Sequence, residues 1–190
     1  MRQSLESLAF AAPDSASIPL HAVGTDTLAG WLDTQPERVR LWLDAVGFRG
    51  ATGETLCVPD AAGGLSMAVF GLGDPAKRAR GRMALGAARG KLPAGTYHLA
   101  SGFAEDDLPE QLLGWLLAGY RFDRFRQGGG RRDPALKAPA GVDAARIEIL
   151  AAAEALTRDL INTPASQLGP EELETTLLSL ADEFGGTVSV

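Results

Sequence analysis

One cysteine, two histidines and 6% aromatic residues are all that this 190-residue chain offers of the side chains that build disulfides, metal centres and stacking platforms. A single cysteine, Cys57, excludes an internal disulfide; flanked by apolar residues it reads as a small core residue and suits a reducing cytosol. No apolar run approaches the roughly 20 residues that span a bilayer. The stretch Leu8-Ala9-Phe10-Ala11-Ala12 is too short for a signal-peptide core and follows Glu6. The expectation is a cytoplasmic protein with no membrane association. Internal repeats are also missing, which excludes solenoids and propellers.

What is present is ordinary globular material, 45% apolar and 22% charged, enough to bury a full core as one domain with an appendage. Charge is unevenly placed. Net charge is −6, yet 12 of the 18 Lys and Arg lie between Lys77 and Lys137 against six of the 24 acids. Such a split is compatible with an anion-binding face, but acid-rich flanks weaken long-range attraction and nucleic-acid binding is not expected.

Patterning alternates strands with helices over residues 1–126. A strand is expected around Leu8 and another over Ile18 to Val23. Leu28, Trp31 and Leu32 suggest a short helix capped by Thr25 or Asp26. Pro36 opens a second helix, with Val39, Trp42, Leu43 and Val46 at i, i+3, i+4 and i+7 and Gly47 closing it. Thr55 to Pro59 and Leu65 to Leu72, joined at Gly63-Gly64, read as a hairpin, its second strand apolar enough for burial on both faces. Asp74-Pro75 starts a helix running to about Gly90, with Ala76, Ala79, Met83 and Ala87 on one small face. Thr96 to Ala100 is a strand, Leu108, Leu112, Leu116 and Tyr120 mark a helix, and alternation from Tyr120 to Phe125 suggests a strand edge. Residues 127–142, rich in glycine, proline and charge, read as a loop or linker. The fold class expected is α/β, a mixed sheet flanked by helices.

The last third is the most informative. Asp143 caps a helix over 143–163 whose Ile149, Ala152, Ala153, Leu156 and Leu160 form an apolar stripe, with Glu154 and Arg158 paired one turn apart. Pro164 ends it by disfavouring helical geometry at Thr163. Pro170 fits a first helical position, Glu171 and Glu172 face the positive end of the next helix dipole, and Leu173, Leu177, Leu180, Ala181 and Phe184 continue it to Gly185-Gly186. Thr187 to Val190 resembles an opening strand.

The run Arg158-Asp159-Leu160-Ile161-Asn162-Thr163-Pro164, with Pro170 following, resembles the interdomain region of the leucyl aminopeptidase (cytosol aminopeptidase) family. Ala68 to Gly73 and Gly119 to Phe125 are similar to other parts of that family. Where the family commonly has threonine before its second proline, this chain has Gly169, a poorer cap. The resemblance implies an N-terminal domain with a macro-domain-like fold, an interdomain helix, and the start of a peptidase domain over 164–190. It also implies a cytoplasmic homohexameric parent enzyme that removes N-terminal residues from peptides, using two divalent metal ions (Mn or Zn) to activate water and polarise the scissile carbonyl. The family's metal-ligand signature, Asn-Thr-Asp-Ala-Glu-Gly-Arg, has no counterpart here, since Pro164 follows Asn162-Thr163. The chain therefore reads as the non-catalytic N-terminal portion of a longer enzyme, its own C-terminal catalytic domain being its partner. Within the elbow, Arg158, Asp159, Asn162, Pro164 and Pro170 are expected to set the interdomain angle.

No other constellation points to chemistry. Gly71 and Gly73, ending an apolar strand before a helix, are candidate anion residues, although Asp74 and Pro75 oppose a phosphate there and a structural turn explains them. His21 and His98 lack cysteine or carboxylate neighbours at ligand spacing. Glu105, Asp106, Asp107 and Glu110 read as helix capping, although a hard-cation site is the alternative. Gly128-Gly129-Gly130 between Arg126 and Arg131-Arg132 reads as a linker or an anion grip. Trp31, Trp42 and Trp115 read as core or interface anchors. The alternative to the scaffold reading is a stand-alone module binding a nucleotide (ADP-ribose-like) or DNA.

Overall fold

A computed structural model describes residues 8–78, 81–125 and 133–189. It contains two compact units, Met1–Ala152 and Ala153–Val190. The first is built on a five-stranded mixed sheet in the order β2-β3-β1-β4-β5. Its elements are β1 (Ile18–Gly24), α1 (Leu28–Asp33), α2 (Glu37–Ala45), β2 (Thr55–Pro59), β3 (Leu65–Gly73), α3 (Pro75–Arg78), α4 (Gly86–Arg89), β4 (Thr96–Ser101), α5 (Leu108–Leu117) and β5 (Ala135–Leu136). β1 is parallel to both β3 and β4, β5 is parallel to β4, and β2 alone runs antiparallel, to β3.

Alternation along the central strands sorts the core onto two faces. Val23 and Val69 join Val39 and Leu43 of α2, Phe48 and Val58 in one cluster, with Leu28, Trp31 and Leu32 packed against it. Leu20, Ala22, Ala68 and Phe70 are buried on the opposite side, and α4, with the residue just before it, and α5 supply the buried Leu85, Ala88, Leu112, Trp115 and Leu116. Each large apolar side chain withdrawn from water in this way contributes roughly 1.5–3 kcal/mol. The hairpin turn is held by Asp60, whose carboxylate accepts from the Ala62 and Gly64 amides at 2.8 Å each.

At the margin of the sheet, the Glu54 carbonyl accepts from Gly71 and the Asp60 amide donates to Gly64, so the even residues of β2 face β3 and the odd ones face outward. Two of those outward carbonyls are covered from α2. The Trp42 indole donates to Cys57 O at 3.2 Å and Arg38 Nη1 donates to Pro59 O at 3.2 Å.

Several expectations need correction. Around Leu8 there is no strand; Leu8 is buried, and only Ala11 makes a bridge, to Lys137. The cap residue of α1 is Thr27, because Thr25 bonds the Gly73 carbonyl and Asp26 pairs with Arg78. On α2, Trp42 and Val46 are largely exposed while Val39 and Leu43 are buried. The helix expected from Ala76 to Gly90 is broken into α3 and α4, with Met83 in left-handed backbone (φ 56°) between them. A Cβ on Gly86 would stand 2.6 Å from the Gly114 carbonyl, so the chain is shaped there by close approach to α5. Ala79 lies outside the described residues. Tyr120 follows the end of α5, and Tyr120 to Phe125 is no strand; Phe122 and Phe125 pack edge to face at 5.7 Å instead. The expected 127–142 linker includes β5, whose Leu136 is fully buried beside β4.

The long helix α6 (Ala144–Asn162) begins as anticipated, with the Arg146 amide donating to Asp143 Oδ1 at 3.0 Å. Its buried side is displaced from the expected stripe. Ile147 and Ala151 are buried, whereas Ile149, about 200° further round the helix, is 67% exposed. In the second unit, α7 (Pro170–Phe184) follows, and the described residues 187–189 form no strand.

Candidate functional site

The elbow lies wholly inside the second unit. Thr157 Oγ1 donates to Ala153 O and Arg158 Nε to Glu154 Oε1, 3.1 and 3.0 Å, keeping the last turns of α6 regular. Asn162 is the final helical residue. Thr163 is buried, and both its amide (3.0 Å) and its hydroxyl (2.6 Å) donate to the Asp159 carbonyl, satisfying a helix-end acceptor before Pro164 blocks the next one. Gln167 and Leu168 amides then return to Pro164 O, at 2.8 and 3.0 Å, closing a tight turn. Gly169 has no side chain to cap α7, so only the reciprocal half of a capping box forms: Glu172 Oε2 accepts from the Gly169 amide at 2.8 Å. Pro170 takes the first helical position, and Gly185, at φ 66°, ends the helix in the conformation glycine adopts without strain. Arg158, Asp159, Asn162, Pro164 and Pro170 thus occupy one short hydrogen-bonded corner.

The Gly71–Gly73 turn is packed shut. The Gly71 amide donates to Glu54 O (2.7 Å) and the Gly73 amide to Gly50 O (2.8 Å), so neither points at a ligand. Asp74 Oδ1 accepts from the Ala76 amide, as in a helix-starting turn.

His21 is clamped. The Trp31 indole, which can only donate, reaches His21 Nδ1 at 3.3 Å, so that nitrogen carries no proton and the Ser101 hydroxyl 2.9 Å away donates to it as well. Burial, and secondarily the proximity of His98, push the His21 imidazole below its ordinary range. The unfolded chain therefore takes up the proton first. The stabilising contribution is present above about pH 6.5 and is lost as pH falls below it toward the folded value. We expect the urea midpoint to drop between about pH 7.5 and pH 5.5, and His21→Gln to flatten that dependence; an unchanged slope in the variant would refute the assignment.

His98 Nδ1 lies 3.0 Å from Ser17 Oγ. Glu105, Asp106 and Asp107 form an exposed 3-10 turn ahead of α5, and Glu110 pairs with Arg82. Among the described residues no three His, Cys, Asp or Glu side chains come together as a metal site, so the donor set does not fit the divalent ions implied above. Arg126, Gly128 to Gly130, Arg131 and Arg132 lie outside the described residues. Trp115 is buried, and Trp31 and Trp42 use their indole N–H groups as described.

Arg89 went unnoticed in the sequence. It is only 6% exposed, and Nη1 donates to Trp115 O (2.9 Å) and Leu116 O (3.2 Å), capping the C-terminal end of α5. Desolvation lowers its pKa from the usual arginine value, Asp133 opposing the effect and Arg121 adding to it. An i,i+4 signal could not have found it, because its acceptors are 26 and 27 residues away.

Residues 18–135 match the family described as M17 aminopeptidase, N-terminal domain. The probable cytosol aminopeptidase of Nocardia farcinica is 30% identical over 188 residues, covering 89% of this chain and 37% of the relative. A crystal structure of cytosol aminopeptidase from Coxiella burnetii superposes with a TM-score of 0.80 at 29% identity, covering 94% of this chain and 38% of that one. The bottromycin maturation enzyme BotP in complex with Mn shares the fold at 23% identity, with a TM-score of 0.66 over 90% of this chain and 37% of its own. The chain spans about a third of the length of the curated relatives it matches, 32–37%. No helix among the described residues is long and apolar enough to cross a membrane.

Proposed function

The chain belongs to the M17 aminopeptidase family as its N-terminal portion, and from that premise we propose that it is the frame of a leucyl aminopeptidase and carries none of its catalytic groups. The parent removes N-terminal residues from peptides, in the cytoplasm and as a homohexamer. The two divalent ions, Mn or Zn, belong to the portion outside this chain. The sheet through β5 at Ala135–Leu136 belongs to a macro-like domain, α6 is the interdomain helix, and 164–190 begin the peptidase domain. Arg158, Asp159, Asn162, Pro164 and Pro170 fix the angle at which that domain leaves.

The observation that carries this reading is α7. It is a well-terminated 15-residue helix with no buried residue. Leu173, Leu177 and Leu178 are 41–46% exposed, and Phe184 is 76% exposed. An apolar face of that kind is matched by a partner surface, and the peptidase domain is the partner proposed. The purified 190-residue chain, with Mn²⁺ or Zn²⁺ added, is expected to leave a leucine anilide unhydrolysed. Metal-dependent release of the aniline product that copurifies with the chain would overturn the proposal.

A further inference from the structure

Three adjacent strands bring Ser17, His98 and Lys137 to one open groove of about 360 Å³, lined otherwise by Leu99 and the 138–140 segment. Ser17 immediately precedes β1, His98 lies on β4 opposite Pro19, and Lys137 follows β5. The Lys137 backbone is pinned on both sides: its amide donates to Tyr97 O at 2.8 Å, and Ala11 bridges to it from the other flank. Its half-buried ammonium donates to Ser15 O at 3.2 Å, which uses one of three N–H groups. None of the lining residues is acidic, and among the described residues no carboxylate lies within ion-pair distance of Lys137. His98 has Nδ1 engaged by Ser17, and a hydroxyl donating there leaves the proton on Nε2.

We propose that this groove binds the oxyanion group of a small ligand, a phosphate or a carboxylate, between Lys137 and His98. An ammonium and an imidazole N–H mounted on a rigid sheet, with a hydroxyl orienting the imidazole, make a preorganised donor pair for such a group. Nothing in this inference depends on the scaffold role, and either can fail alone.

The chain has only two histidines, so the His98 ring signal that reports the groove is readily resolved. Inorganic phosphate and acetate are each titrated against chloride at constant ionic strength, following the histidine ring and tryptophan indole resonances by NMR. His98 is expected to shift saturably at millimolar anion while the indole signal of the buried Trp115, remote from the groove lining, stays in place. A response to phosphate alone identifies a phosphate ligand, and an equal response to acetate a carboxylate. Lys137→Met should weaken the effect at least about tenfold and Lys77→Met should not, which separates a local contact from net charge. An unchanged Trp115 indole signal verifies folding of each variant, and Ser17→Ala, which removes only the orienting hydroxyl, should also weaken binding. An equal His98 shift with chloride, an undiminished response in Lys137→Met, or no response up to about 100 mM anion would overturn the site.

Discussion

Replacing Arg89 with methionine is expected to remove about 3 kcal/mol of stability, read as a fall in the urea midpoint followed by tryptophan emission. Methionine keeps most of the volume, so the loss isolates the polar role. Arg89 reaches two carbonyls in the last turn of α5; Leu116 O also accepts from the Gly119 amide at 2.9 Å, so Trp115 O is the one that relies on the guanidinium. Both acceptors belong to buried residues, Trp115 and Leu116, so water cannot replace the guanidinium without opening the core. Stranding the Trp115 carbonyl costs roughly 1–3 kcal/mol, and the lost charge-assisted bond to Leu116 O adds roughly 1.5 kcal/mol. The guanidinium also lies 5.8 Å from the Trp115 ring, adding a smaller cation–π contribution. Arg89→Lys should recover only part of the loss, because a single ammonium cannot reproduce the planar fork. A change below about 1 kcal/mol in Arg89→Met would mean that the α5 terminus is satisfied some other way.

Gly71→Ala is expected to be at least as damaging, about 3 kcal/mol or more, with a matching loss of soluble yield. The new methyl carbon would lie 2.0 Å from Ala51 O and 2.8 Å from Gly50 C, both main-chain atoms. Relief would require the 50–53 loop to move, and that loop is held from several directions. Gly73 donates to Gly50 O, Gly53 donates to Gly71 O, and the Glu54 carboxylate accepts from the Arg49 and Ala51 amides. Gly30→Ala is the matched control: nothing lies within 4 Å of its added carbon, and an exposed helical site should gain a few tenths of a kcal/mol or more. Thermal melts followed by circular dichroism read both, and equal midpoints for the two variants would refute the clash.

Legibility followed how local each signal is. β1, the β2–β3 hairpin and α5 were readable because period and punctuation lie within the segment, as were the caps and prolines that bound α6 and α7. The Ala76–Gly90 reading failed because small residues suit a helix locally, whereas Gly86 and Gly114 are small to let backbone pass backbone. β5 escaped notice because two residues have no period; its place is given by Leu136 lying against β4. The Ile149 stripe was misplaced because alanines fit several faces equally, and only packing selects Ile147 and Ala151. At the candidate sites, the seven-residue elbow run carried the family, while Arg89 and the groove depend on contacts 26 to 122 residues apart.

The Trp42 and Arg38 contacts have a consequence for life in a crowded cell. A sheet margin normally advertises its spare acceptors to any extended segment that drifts past. Here two of those acceptors are occupied from above, and Pro59 contributes no amide to compensate. Copies of this protein that meet along that flank find little to zip onto, which keeps newly made molecules separate until their proper contacts form.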